Sequence, residues 1–257
     1  MIPIIHTDNP YELDRLVFDE HYPALTRKNA DFIEAVVGLD SNYSKDSLIV
    51  EPKGKYIGSI KYWFNQMKSG GDFAHSVLMA ITAIDSTNST HLEASKDGRK
   101  ILCDRITSAC SNCQELEDML KADFESDDTK HILSILTERI DDKSGRVRYN
   151  LSFASKFCSY GALFLGLSTE YSKYDRIVSE NLPIYAKCYL GKKYPASYFI
   201  IDSQQIKELS DEEKLLYRLK IYREYSDTIK EIIDVLQKDG ICINREELDH
   251  IIWYGRK

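Results

Sequence analysis

The sequence lacks the features that define several classes of protein. It has no run of about 18 apolar residues, as a membrane-spanning helix would need, and its first residues do not combine a basic region with a long apolar core. Its six cysteines are too few over 257 residues for a disulfide-stabilised fold. The six histidines show no metal-ligand spacing. We therefore expect a cytoplasmic globular protein with no signal peptide, no membrane partner and no metal or organic cofactor.

Three cysteines, Cys103, Cys110 and Cys113, have a spacing that invites a metal interpretation. The spacing suits three ligands of an iron–sulfur loop. The fourth ligand would fall at Met119, whose thioether cannot replace a thiolate. We interpret the spacing as a coincidence on a helix face.

The charge is unevenly distributed along the chain. The net charge of −7 argues against indiscriminate binding to nucleic acid. Residues 143–193, however, contain nine basic and three acidic residues, so this segment carries +6 and the remainder −13. Such a basic zone favours a phosphate-bearing ligand. A merely solubilising surface is the alternative.

Apolar residues recur at helical spacing along most of the chain, which predicts an all-α fold with few or no strands. A first short helix is expected after Asn9 and Pro10, with an apolar stripe through Leu16. Residues 42–58 predict a loop, because they contain one proline and two glycines. The polar stretch 141–145 predicts a boundary between an N-terminal helical lobe, 1–142, and a second region, 143–257, within one compact two-lobed unit.

The C-terminal part of the chain contains two capping boxes. Ser210 and Glu213 predict the start of a long helix, and Gly240 predicts its end. Asn244 and Glu247 predict the start of the last helix in the same way.

A lysine and an aspartate nineteen residues apart form the most informative pair. Ser152 predicts a helix cap that places Lys156 about one turn into a helix, and Asp175 predicts the start of the next helix. A helix start and apolar neighbours disfavour an ammonium group, whereas a helix start favours a carboxylate. A neutral amine can attack an anomeric carbon and form a Schiff base, and a carboxylate can stabilise the positive charge that develops there. The alternative is a solvated lysine and an ordinary helix cap.

Residues 150–178 resemble the catalytic region of the helix-hairpin-helix DNA glycosylases, in particular the 8-oxoguanine DNA glycosylase branch. Residues 247–255 resemble the closing helix of small bacterial proteins of this type. The resemblance implies a two-lobed helical helix-hairpin-helix fold, with Lys156 as the Schiff-base nucleophile and Asp175 as the catalytic carboxylate. The family's hairpin carries glycines before the lysine, and this sequence has none there.

The resemblance implies a DNA glycosylase and AP lyase of base excision repair that removes an oxidised or otherwise modified guanine without a cofactor. Its partner would be DNA containing the modified purine. Two alternatives stay open: a non-catalytic helical module that binds nucleic acid or partner proteins in a bacterial defence or repair system, and an enzyme acting on a free nucleoside or nucleotide. Contacts to nucleic acid are expected from polar and basic residues around the pair, namely Arg146, Arg148, Asn150, Ser152, Ser155, Lys173 and Arg176.

Overall fold

The protein is mostly helical in the computed structural model, which confirms the all-α class. None of the helices in the described part of the chain is long and apolar enough to cross a membrane. The structure describes residues 4–9, 12–17, 19–34, 52–88, 90–92, 95, 97–122, 131–141, 147–168 and 171–254.

The described residues contain ten α-helices. The eighth, α8 (Arg176–Tyr185), continues into a π-helical turn, Ala186–Leu190, which ends at Gly191 in the left-handed conformation (φ 67°). The helices are α1 (27–34), α2 (Pro52–Lys68), α3 (Phe73–Asn88), α4 (Gly98–Ala109), α5 (Cys113–Lys121), α6 (Ile132–Thr137), α7 (Leu151–Leu165), α8 (Arg176–Tyr185), α9 (Asp211–Lys238) and α10 (Arg245–Tyr254).

Five short strands form two antiparallel sheets among the described residues. The first sheet has the order β1-β2-β3 and the second pairs β4 with β5. In the first sheet Ile4 pairs with Leu16, and in the second Ile140 pairs with Arg148. The strands are β1 (Ile4–Ile5), β2 (Arg15–Leu16), β3 (Asp19–Pro23), β4 (Arg139–Asp141) and β5 (Val147–Tyr149).

The prediction of a helix through Leu16 was wrong, because this residue belongs to β2 and is fully buried. The buried carboxylate of Asp14 accepts hydrogen bonds from the Thr7 backbone N–H and the Thr26 hydroxyl. The backbone N–H of Asp14 donates to Asn29 Oδ1 at 2.8 Å. Such bonds between side chains and backbone offer the chain an alternative to helical hydrogen bonding.

The predicted loop over 42–58 was wrong at its C-terminal end, where α2 begins at Pro52. Proline is tolerated in the first turn of a helix, where a backbone N–H would have no helical partner. The remainder of the predicted loop, 42–51, lies outside the described residues.

Both predicted capping boxes are confirmed. Glu213 Oε2 accepts from the Ser210 backbone N–H at 2.7 Å, and Ser210 Oγ accepts from the Glu213 N–H at 3.2 Å. The reciprocal bonds of Asn244 and Glu247 are both 2.9 Å long. Helix α9 ends before Gly240, whose φ of 78° is left-handed, as the sequence predicted.

The chain divides into two compact units. The predicted boundary at 142/143 does not coincide with this division, because β4 and β5 lie on either side of that boundary and pair within the second unit. The first unit comprises Met1–Asn42, Tyr174–Gln204 and Lys220–Lys257, and the second comprises Tyr43–Lys173 and Gln205–Leu219.

Helix α7 is central to the second unit, where it contacts α2, α3, α5 and α6. The rings of Phe64 on α2 and Phe157 on α7 have centroids 5.4 Å apart. Gly161 permits this close packing, since a Cβ at its position would lie 3.0 Å from Leu120 Cδ1. The surroundings of α7 leave little of this helix in contact with solvent.

Buried tyrosines dominate the core of the first unit. Tyr185, Tyr222 and Tyr225 are all fully buried. The Tyr185 hydroxyl donates to the Pro23 carbonyl at 2.9 Å and so connects α8 to β3. Helix α10 packs against α8 in the same unit. This packing fixes the helix whose N-terminus is capped by Asp175.

Candidate functional site

Helix α7 begins two residues earlier than predicted. Asn150 occupies the N-cap position, and its side chain makes no capping hydrogen bond. The Ala154 N–H already donates to the Asn150 carbonyl at 2.8 Å, so helical bonding includes residue 150. The prediction of Ser152 as the cap was therefore wrong, because β5 ends at Tyr149 and the helix follows it directly.

Lys156 occupies the sixth position of α7 and is buried, with 7% of its surface exposed. It is the only buried lysine among those the structure describes. Its Nζ donates to Ser152 Oγ at 3.3 Å. Phe153 and Phe157 beside it are also buried. Since the helix dipole acts mainly within the first turn, burial and not the helix start distinguishes this lysine.

Asp175 is the N-cap of α8, which confirms the predicted helix start. Its Oδ1 accepts from the Ile177 backbone N–H at 2.8 Å. Its carbonyl accepts from the Ser179 backbone N–H at 2.9 Å and from the Ser179 hydroxyl at 2.7 Å. The carboxylate is partly exposed and is oriented by the first turn of the helix.

A second carboxylate, Asp249 on α10, belongs to the surroundings of Asp175 in the first unit. Burial raises the pKa of Tyr225 well above its ordinary range, and the negative charges of Asp249 and Asp175 raise it further. The charges of both carboxylates therefore influence the same buried hydroxyl group, that of Tyr225. No sequence pattern singles out Asp249, because α10 approaches α8 only through tertiary packing.

Lys156 and Asp175 belong to different units, since the division between 173 and 174 falls between them along the chain. Each residue is thus positioned by the packing of its own unit. Their joint action in catalysis stays a prediction.

The expected nucleic-acid contacts before and within α7 differ in their surroundings. Arg148 is half-buried on β5, and Arg146 lies outside the described residues. The Nδ2 atom of Asn150 is buried and makes no hydrogen bond to a described residue. Ser155 is fully buried, and its hydroxyl donates to the Ser152 carbonyl at 3.1 Å, so it offers no surface to a ligand in this structure.

The two expected contacts near Asp175 make local interactions. Lys173 Nζ lies 4.5 Å from the centroid of the Tyr160 ring, both in the second unit. Arg176, in the first unit, is exposed, and its Nε donates to Glu180 Oε1 at 2.7 Å. Exposed ion pairs of this kind contribute little stability, so the guanidinium of Arg176 can exchange this partner for a phosphate.

The segment before α7 is a pair of strands and not a short turn between helices. The β4–β5 hairpin is tied to the start of α9, because Asp211 accepts from the Tyr149 hydroxyl at 2.9 Å and from Arg139 Nη1 at 2.7 Å. The Arg218 guanidinium carbon lies 3.8 Å from the centroid of the Tyr149 ring. This stacking and the two hydrogen bonds hold the hairpin against the helix.

The cysteines of the second unit do not form a metal centre among the described residues. The thiol of Cys110 donates to the Met119 sulfur at 3.1 Å. Burial, with the charge of Glu115, raises the pKa of Cys110 to about 11. Burial, with the charge of Glu117, likewise raises the pKa of Cys113 to about 11. Both thiols are therefore protonated at neutral pH.

No protein-family model matches the chain, and no match was found among curated proteins or among solved structures. The resemblance to helix-hairpin-helix glycosylases therefore depends on residues 150–178 and 247–255 alone.

Proposed function

We propose that the protein is a DNA glycosylase with AP-lyase activity that removes an oxidised or otherwise modified guanine from DNA. The observation that carries the proposal is the burial of Lys156, which is 7% exposed in the central helix of its unit. Few lysines in proteins are buried to this extent. A lysine in apolar surroundings is one of the standard forms of an activated amine nucleophile.

The proposed reaction begins with attack of the neutral Nζ of Lys156 on C1′ of the damaged nucleotide. The N–C bond forms as the bond between C1′ and the base breaks, and the base leaves with that electron pair and takes up a proton. The sugar ring then opens to give a protonated Schiff base. Loss of a proton from C2′ expels the 3′ phosphate, and water releases the lysine by hydrolysis.

Asp175 has a distinct role in this proposal. Its ionised carboxylate stabilises the positive charge that develops at C1′ as the base departs. The hydrogen bond from the Ile177 N–H fixes one carboxylate oxygen and leaves the other available. The charge of +6 over residues 143–193 supports a phosphate-bearing substrate.

The experiment that tests the proposal is borohydride trapping of the Schiff base. Wild-type protein is incubated with duplexes that contain 8-oxoguanine opposite cytosine or an abasic site, and covalent adducts are separated on a denaturing gel. We expect adducts with the wild type and none with Lys156→Gln. Lys187→Gln is the matched control, because it removes the same charge from the same basic segment at an exposed position.

A wild-type protein that is folded but forms no adduct with either duplex would refute the enzyme proposal. An adduct that persists in Lys156→Gln would refute the assignment of the nucleophile. The β4–β5 hairpin, which stands where the family has a glycine-containing turn, favours a second candidate function: a non-catalytic module that binds nucleic acid. Binding to abasic DNA without any adduct would support this second function.

A further inference from the structure

The outward side of α2, in the second unit, has a composition unlike that of the other helices. Its exposed residues recur at helical spacing, as expected for one face of a helix. We call this surface the α2 face, and it consists of Gly58, Lys61, Tyr62, Asn65 and Lys68.

Helix α2 is strongly basic in an acidic protein. Pro52–Lys68 contains four lysines and no acidic residue, whereas the whole chain carries −7. Lys61 is exposed and forms no ion pair with a described residue. The next acidic residue along the chain, Asp72, caps α3 by accepting from the His75 backbone N–H. The face therefore presents positive charge that is not neutralised within its own helix.

Aromatic rings accompany this charge. Tyr62 is 53% exposed, which is unusual for so large an apolar side chain. Its ring meets that of Trp63 edge to face, with centroids 4.9 Å apart, and the Trp63 ring meets that of His75 in the same way at 5.4 Å. The edge contact to Trp63 orients the Tyr62 ring, while more than half of the tyrosine stays accessible.

Gly58 lies one helical turn before Tyr62 on the same face. A Cβ at this position would meet no atom of a described residue within 4 Å, so no contact in the described part of the chain requires a glycine there. Glycine in a helix interior lowers stability relative to alanine. A glycine that neither packing nor conformation requires leaves room for the backbone of a ligand beside the exposed ring.

We infer that the α2 face binds an unpaired strand of nucleic acid, with a base stacked on Tyr62 and a phosphate beside Lys61. Exposed aromatic rings bind bases that are free of their duplex stack, and lysines track the phosphates of the same strand. The positive charge of α2 complements such a polyanion. The binding does not depend on the Lys156 chemistry proposed above, and it adds a contact for a strand outside the reacting nucleotide.

The test is fluorescence anisotropy with a labelled single-stranded oligothymidylate that carries no damage, over a series of salt concentrations. Tyr62→Ala should weaken binding about tenfold or more, as expected for the loss of one stacked base. Lys61→Gln should reduce the slope of log affinity against log salt by about 0.7, the value for one phosphate contact on a single strand. Gly58→Ala should weaken binding without lowering thermal stability.

Two substitutions serve as matched controls. Leu163→Ala removes a side chain of the same unit that is 57% exposed, and Lys220→Gln removes an exposed charge elsewhere; both should bind as the wild type does. The oligothymidylate contains no damaged base, so its binding does not require the glycosylase reaction, which separates this inference from the glycosylase proposal. The inference is overturned if folded wild-type protein does not bind the strand. It is equally overturned if Tyr62→Ala binds as tightly as the wild type, which would leave this face to a protein partner.

Discussion

Replacing Asp175 by asparagine should separate its role in folding from its proposed role in catalysis. The carboxylate caps α8 through a 2.8 Å hydrogen bond from the Ile177 N–H. Asparagine and aspartate are equally good N-caps, so Asp175→Asn keeps this bond and removes only the charge. Asp175→Ala removes both the bond and the charge.

The expected magnitudes follow from these contacts. Loss of the cap in Asp175→Ala should cost about 1 kcal/mol of the free energy of unfolding, which corresponds to a fall in Tm of about 2–4 °C for a chain of this size. Asp175→Asn should lose at most about 0.5–1 kcal/mol, through the weaker interaction with the helix dipole. Loss of the charge beside C1′ should slow base release by about 10²-fold or more in both variants.

The assay combines thermal unfolding with single-turnover release of 8-oxoguanine from a duplex. Ser179→Ala is the matched control, because it removes the 2.7 Å bond from the Ser179 hydroxyl to the Asp175 carbonyl but keeps the carboxylate. We expect this control to lose some stability and to retain activity. Wild-type rates in Asp175→Asn would show that the carboxylate is a helix cap alone and would refute its catalytic assignment.

Three further predictions concern stability. Asp85→Ala should cost about 1–3 kcal/mol in urea denaturation, because it leaves the Leu92 backbone N–H and the Thr90 hydroxyl without their buried acceptor. Burial by itself would raise the pKa of Asp85, but its hydrogen bonds and the charge of Arg99 outweigh burial and lower the pKa below 3.8. The stability that the Asp85 carboxylate contributes is therefore present above pH 3.8 and is lost as the pH falls through the lowered pKa of the folded protein. Gly58→Ala should raise the free energy of unfolding by about 0.5–1 kcal/mol, and an unchanged or lower value would contradict its open surroundings. Tyr171→Phe should cost about 1–3 kcal/mol in the same assay, because its buried hydroxyl donates to the Leu120 carbonyl at 2.7 Å.

Three helix-capping interactions between residues close in sequence were predicted correctly. The capping boxes at Ser210 and Asn244 and the cap at Asp175 each involve partners two or three residues apart. Such a hydrogen bond depends on the local backbone alone, and the residue types therefore suffice to predict it.

Interactions between distant residues were not predictable in this way. The segment around Leu16 becomes a strand because Ile4 pairs with it and because Asn29 accepts from the neighbouring backbone. Ser152 is a residue type that favours the N-cap position, but β5 ends at Tyr149 and α7 begins directly after it, so the N-cap is two residues before Ser152. In both cases a partner elsewhere in the chain overrides the local preference.

The sequence by itself determined the helical class, the caps at the starts of α8, α9 and α10 and the basic segment, because these depend on periodicity, nearby hydrogen bonds and composition. It also placed Lys156 in a helix, but it did not determine how far the side chains of Lys156 and Tyr62 are buried. Helix α7 is surrounded by four other helices, so its lysine is 7% exposed, whereas Tyr62 points away from the packed side of α2 and is 53% exposed. Tertiary structure decided this difference, because the burial of a helix face depends on which other helices pack against it.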